Sequence, residues 1–204
     1  AYGKMILRPK KDFVDLLSVS GHKLHGPKGI GFLFIDEKVK IDPILFGGGQ
    51  QGGLRSGTLN IPGITGMGLA AKMVYQDFPE KIERLYQLKD YFIEELLKLP
   101  EVKLNSEKGV ASAPQIVSAS FYGVKAEVLL HALEDKGIYV SSGSACSSNH
   151  PGISGTLKAI GLGQKELDST LRFSFSFLTE KRELTDTIEA LKELLPVLRK
   201  FYKA

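Results

Sequence analysis

The chain has 204 residues, enough for one large domain or two small ones with a sizeable core. Its net charge is +4, from 27 Lys and Arg against 23 Asp and Glu, and the two signs are interleaved along the chain, which excludes a nucleic-acid footprint. No apolar run reaches the ~20 residues of a membrane span, and a single cysteine cannot close an internal disulfide. With no signal-peptide pattern in view, the expectation is a cytoplasmic protein whose thiol stays reduced.

In chain order, Asp12 to Ser20 leads into the polar, glycine-rich stretch Gly21 to Gly29, and Ile30 to Ile35 follows as a β-rich apolar run ended by Asp36-Glu37. This reads as strand, loop, strand. Phe46 to Gly63 carries Gly47-Gly48-Gly49 and Gly52-Gly53 without apolar period, so it reads as a long loop. Helical spacing runs from near Ile64 to about Phe78 and, after Pro79, from Glu80 to Leu99, where Pro100 stops it. Val102-Lys103-Leu104 and Ile116 to Phe121 read as strands, and Ala126 to Lys136 as a helix closed by Gly137. Ile138-Tyr139-Val140 and Leu171 to Phe175 read as two more strands. A final amphipathic helix spans about Glu180 to Phe201, with Pro196 as a possible kink.

Alternating strands and helices give an α/β first part, and the remainder reads as a smaller α+β domain. The boundary is placed at Pro79, giving domains 1–79 and 80–204. There are no internal repeats or low-complexity segments.

Four places carry candidate chemistry. In Ser20-Gly21-His22-Lys23, a lysine at the end of an apolar strand is a candidate Schiff-base amine, with Ser20 and His22 as phosphate donors; a solvated surface turn explains the same spacing. Gly26-Pro27-Lys28-Gly29 lacks the Gly-Lys-Ser/Thr of a nucleotide-binding P-loop. Arg55-Ser56-Gly57-Thr58 suits an anion or a mobile loop equally. Ser141 to Ser148 surrounds Cys146 with small residues, a setting that favours a reactive thiol over a buried structural one. One Cys and four scattered His give no metal-ligand spacing, so no metal is expected. Arg172 lies inside an apolar strand and calls for a carboxylate partner, either a structural Asp or Glu or an amino-acid substrate.

Taken in order and spacing, Ser20-Gly21-His22-Lys23 with Gly26-Pro27-Lys28-Gly29-Ile30-Gly31, Arg55-Ser56-Gly57-Thr58, Ser141 to Cys146, and Arg172-Phe173-Ser174 resemble the cysteine desulfurases of the class V aminotransferase family. The resemblance covers nearly the whole chain and implies the C-terminal half of a fold-type I enzyme dependent on pyridoxal 5'-phosphate. Lys23 then bonds the cofactor, and Ser20 and His22 hold its phosphate. Thr58 reaches the phosphate of a neighbouring subunit, which implies a homodimer. Arg172 clamps the α-carboxylate of L-cysteine. Cys146 takes the sulfur as a persulfide for a sulfur-acceptor or iron–sulfur scaffold protein. On this reading residues 1–79 are the remainder of the cofactor-binding large domain and 80–204 a small domain carrying the cysteine loop.

In the family an Asp pairs with the pyridine nitrogen, a Gln contacts the ring oxygen and a His stacks on the ring. The Asp and Gln precede the position matching Ala1-Tyr2-Gly3-Lys4, and none of the three matches a residue of this chain. A complementary N-terminal half is the expected source of them. The competing readings are a selenocysteine lyase-like activity and a non-catalytic fragment or scaffold lacking half of the cofactor site.

Overall fold

The computed structural model describes residues 2–142 and 154–201. The chain divides into two compact units, 1–80 and 81–204.

In the first unit, β1 (Leu16–Ser20) and β2 (Gly31–Ile35) form a two-stranded antiparallel sheet, with Ser20 opposite Gly31 and Leu16 opposite Ile35. Between them Gly21–Leu24 makes one turn of 3-10 helix, ended by His25 in the left-handed region. The strand–loop–strand expectation holds. The segment expected as an unbroken loop contains a short 3-10 turn at Gln50–Gly53, and helix α1 (Ile61–Tyr75) begins three residues earlier than its apolar spacing suggests. The earlier start has a local cause. Asn60 caps the helix by accepting from the Gly63 amide at 3.0 Å, and Pro62 occupies the first turn, where its missing N–H costs nothing. Helix α2 (Phe78–Leu96) likewise begins before its proline rather than after it. Asp77, at φ 48°, makes the break between the two helices, and Pro79 sits in the first turn. Val19, Leu24, Ala70, Val74 and Phe78 are buried in this unit.

The second unit is an α+β layer. Its antiparallel sheet has the order β3-β4-β6-β5, from β3 (Val102–Leu104), β4 (Ile116–Phe121), β5 (Ser141–Ser142) and β6 (Thr170–Ser174). The helices are α2 and then α3 (Ala126–Glu134), α4 (Gly155–Ala159), α5 (Gln164–Ser169) and α6 (Lys181–Arg199). Because side chains alternate along a strand, the register divides the sheet into two unlike faces. One face presents Leu104, Val117, Ala119, Phe121, Leu171 and Phe173, which join Phe92, Leu129, Leu133, Ile188 and Leu191 of α2, α3 and α6 in a single apolar core. Phe92 meets Phe173 and Phe175 edge-on at 5.0 and 5.6 Å, the arrangement that aromatic quadrupoles favour. The other face presents Lys103, Ser118, Ser120, Thr170, Arg172 and Ser141.

One expectation changes here. Ile138-Tyr139-Val140 is not a strand; the pairing with β6 falls on Ser141 and Ser142 instead. The Ile138 amide is already committed, donating to Leu133 O at 2.9 Å as the closing bond of α3, with Gly137 at φ 76°. The apolar run reflects Ile138 and Val140 packing on the core, while Tyr139 stays exposed. Pro196 lies inside α6 without ending it. Among the described residues no helix is long and apolar enough to cross a membrane.

Candidate functional site

The candidate residues fall in both units, and each group is built by its own local structure. In the first unit, the Gly21–Leu24 turn is held at both ends. Gly21 N donates to Ile30 O at 2.8 Å and Gly26 N to Gly21 O at 3.1 Å. Leu24, 1% exposed, points inward against Gly3 and anchors the turn, which leaves His22 and Lys23 on its outer side. Ser20, still extended at the end of β1, leads directly into the turn. Ser20 and His22, together with Ser18, Gly29 and Gly31, line a shallow concavity of about 460 Å³. Close approach of the two strands at its floor depends on glycine, since a Cβ on Gly31 would lie 2.5 Å from Val19 O.

Lys23 is exposed near the end of the turn. Thr58 is exposed too, beside an organised turn: Arg55 Nη1 donates to Ser56 O at 2.6 Å, Gly57 N donates to Gln50 Oε1 at 3.0 Å, and Ser56 is buried. The Arg55 guanidinium is thus engaged with its own backbone. Cys146 lies outside the described residues.

In the second unit Arg172 occupies the middle of the polar sheet face. Its register neighbours are Ser118 on β4 and Ser141 on β5. The structural carboxylate expected from the sequence is not there: among the described residues no Asp or Glu pairs with Arg172, and its Nη2 donates only to Ser141 Oγ, at 3.4 Å. Its Nε is buried and has no acceptor among the described residues. Other arginines of this unit are engaged differently. Arg84 donates to Phe177 O and Thr179 O at 3.0 and 2.6 Å, and Arg199 donates to Tyr122 O and Pro100 O at 3.0 and 2.9 Å. Those guanidiniums brace the backbone. Arg172, flanked by short neutral hydroxyls, has no ion-pair partner among the described residues, which suits recognition of an anion.

Beside it, a polar network that sequence reasoning did not single out fills the rest of the face. Asn105 Nδ2 donates to Ser120 Oγ at 2.9 Å, Ser120 and Thr170 hydroxyls meet at 2.7 Å, and Thr170 Oγ1 donates to Glu166 O at 2.6 Å. Only the β4–β6 register reveals it, because these residues are far apart in sequence. Glu166 in turn accepts from Lys103 Nζ at 2.9 Å and Tyr122 Oη at 2.7 Å, and these two bonds hold its carboxyl down at about 2. Among the described residues no cluster of His, Cys, Asp and Glu suits a metal ion.

A family model described as aminotransferase class-V matches residues 1–186. Among curated relatives, the cysteine desulfurase IscS of Methanosarcina thermophila is 39% identical over 199 residues, covering 98% of this chain and 49% of the relative. That of Dictyoglomus turgidum is 40% identical over 187 residues, covering 91% and 47%. Among solved structures, a NifS-like protein superposes with a TM-score of 0.86 at 30% identity, covering 97% of this chain and 51% of that one. A NifS-like protein from Rickettsia africae superposes at 0.83 and 30% identity, covering 94% and 50%. The chain spans about half the length of the curated relatives it matches. With the family model matching residues 1–186 and relatives of 39% and 40% identity covering 98% and 91% of the chain, the chain belongs to the aminotransferase class-V family.

Proposed function

We propose that the chain is the C-terminal half of a pyridoxal-phosphate-dependent cysteine desulfurase, completed by residues of a complementary half and working as a homodimer. The observation that carries this reading is the 3-10 turn that sets Lys23 on the outer side of the first unit, with Ser20 and His22 beside one concavity. A hydroxyl and an imidazole are suitable donors for a phosphate monoester, and an accessible amine is what an aldehyde requires, so the residues present fit the cofactor. Pyridoxal phosphate would supply the electron sink. Lys23 would bond it, Ser20 and His22 would hold its phosphate, and Thr58 would serve the phosphate of the neighbouring subunit. Lys23, once released from the cofactor, would move the substrate's α-proton.

Arg172 would orient L-cysteine through its carboxylate. In the net reaction, L-cysteine and the Cys146 thiol give L-alanine and a Cys146 persulfide: one C–S bond breaks, one S–S bond forms, and no outside oxidant is needed. The persulfide sulfur would then pass to an acceptor, such as an iron–sulfur scaffold protein. In this scheme residues 1–79 belong to the cofactor-binding large domain and 80–204 to the small domain. Support for cysteine as substrate comes from the cysteine desulfurase relatives at 39% and 40% identity.

Borohydride reduction of the purified chain with added pyridoxal phosphate, followed by peptide mass mapping, tests the cofactor assignment. A phosphopyridoxyl group confined to Lys23 is the expected result. Labelling spread over exposed lysines, equal in Lys23→Arg, would overturn it.

A further inference from the structure

Arg172 has a neighbour that the proposed mechanism leaves unused. The guanidinium carries five N–H donors, and among the described residues its one hydrogen bond is the 3.4 Å contact from Nη2 to Ser141 Oγ. Nε is closed off from solvent and has no acceptor among the described residues, so an arriving anion meets the Nη edge rather than the Nε side. Ser141 stands at that edge. It is the register partner of Arg172 on β5, it lies on the same sheet face, and it is only partly buried. As an acceptor it already takes Nη2, and its own O–H proton has no acceptor among the described residues.

We propose that Ser141 is a substrate-binding residue: its hydroxyl accepts from Arg172 Nη2 and donates its proton to the carboxylate seated on that guanidinium. The inference rests on the carboxylate-clamp reading of Arg172. It deepens that reading by making the anion site three-pointed, with two N–H donors from Arg172 and one O–H donor from Ser141. The chemistry favours this arrangement. A hydroxyl adds a charge-assisted bond without neutralising the arginine, whereas an Asp or Glu in its place would compete with the ligand. The location on β5 also matters. β5 is held to β6 by the pairs Ser141–Arg172 and Ser142–Leu171, so the hydroxyl is fixed by a ladder rather than by a loop. The ligand class is an amino acid with a free α-carboxylate.

The test is titration of the uniformly 15N-labelled chain with L-alanine, the proposed product, following the Arg172 Nε–H resonance assigned through its loss in Arg172→Lys. Ser141→Thr and Ser141→Val form the informative pair, because both are β-branched, suit a strand and differ only in the hydroxyl. Saturable binding is expected for the wild type and for Ser141→Thr to within about twofold, with Ser141→Val weaker by about tenfold, the usual scale for a lost hydrogen bond to a charged group. The Ser142 and Leu171 amide resonances report in each variant that β5 stays paired. Equal affinity in Ser141→Val and wild type overturns the role of Ser141 and leaves the clamp standing. Equal weakening in Thr and Val variants shows that packing and not the hydroxyl matters, and also overturns it. Absence of saturable binding to the wild type, or binding that survives Arg172→Lys, overturns the clamp and the inference together.

Discussion

A methyl group added at Gly31 would lie 2.5 Å from the Val19 carbonyl oxygen, a distance that no relaxed Cβ tolerates. Because Gly31 is the partner of Ser20 in the β1–β2 ladder, widening that gap displaces the strand end from which the Lys23 turn departs. Gly31→Ala is therefore expected to destabilise the first unit by about 1–3 kcal/mol, the usual cost of overpacking, and to lower the yield of borohydride labelling at Lys23. Gly68 supplies the control. It sits inside α1, and a methyl group there would meet nothing within 4 Å, so Gly68→Ala should be neutral or slightly stabilising. Urea unfolding of the three proteins, read by hydrogen exchange in β1 and β2, separates the outcomes; equal behaviour of the two variants would remove the packing argument. At this scale the sequence displayed the chemistry but not its neighbours. Lys23 and Arg172 stand out as charges beside apolar runs. That Arg172 faces Ser118 and Ser141 rather than a carboxylate depends on strand register, which links residues 118, 141 and 172 only after folding.

Among the elements, the strands around Lys23 and the long helices were legible because apolar spacing repeats over enough residues to define a face. Helices α4 and α5, of five and six residues, are too short for any period to show. The Ile138-Tyr139-Val140 run misleads for another reason: helix closure takes the Ile138 amide before a ladder can. The helix α5 anchor has a measurable signature. Glu166 accepts from Lys103 on β3 and from Tyr122 just beyond β4, and its carboxyl sits at about 2 against an ordinary 4.5. A carboxylate whose folded value is depressed contributes stability that is fully present above its unfolded value and is lost as the pH falls toward the folded one. The contribution therefore disappears between about pH 4.5 and 2. Glu166→Gln should be less stable than wild type at neutral pH and should show a flatter decline through that acid window. Thermal unfolding followed by circular dichroism from neutral pH down through that window checks this, and parallel curves for the two proteins would count against the coupling.

The molecule as a whole has an uneven distribution of core. The second unit encloses a continuous apolar cluster drawn from α2, α3, α6 and the strands β4 and β6. The first unit buries Val19, Leu24, Ala70, Val74 and Phe78, while Phe13, Ile44 and Phe46 are 88%, 88% and 82% exposed. Its sheet has only two strands, an arrangement that is marginal in water by itself. The imbalance fits a protein that spans half the length of its relatives. Strand edges and apolar side chains left open in the first unit are the surfaces that a complementary half would cover. Local stability should follow the same division, because amides open according to the packing around them. In hydrogen exchange of the chain alone, the β4 and β6 amides are expected to be the slowest, and the β1 and β2 amides faster by at least about tenfold. Adding the upstream half of the Methanosarcina thermophila relative as a separate polypeptide should slow β1 and β2 while leaving β4 and β6 unchanged. Protection of β1 and β2 equal to that of β4 and β6 in the isolated chain would mean that the first unit is stable without a complement. The proposal that its cofactor turn waits for one would then fail.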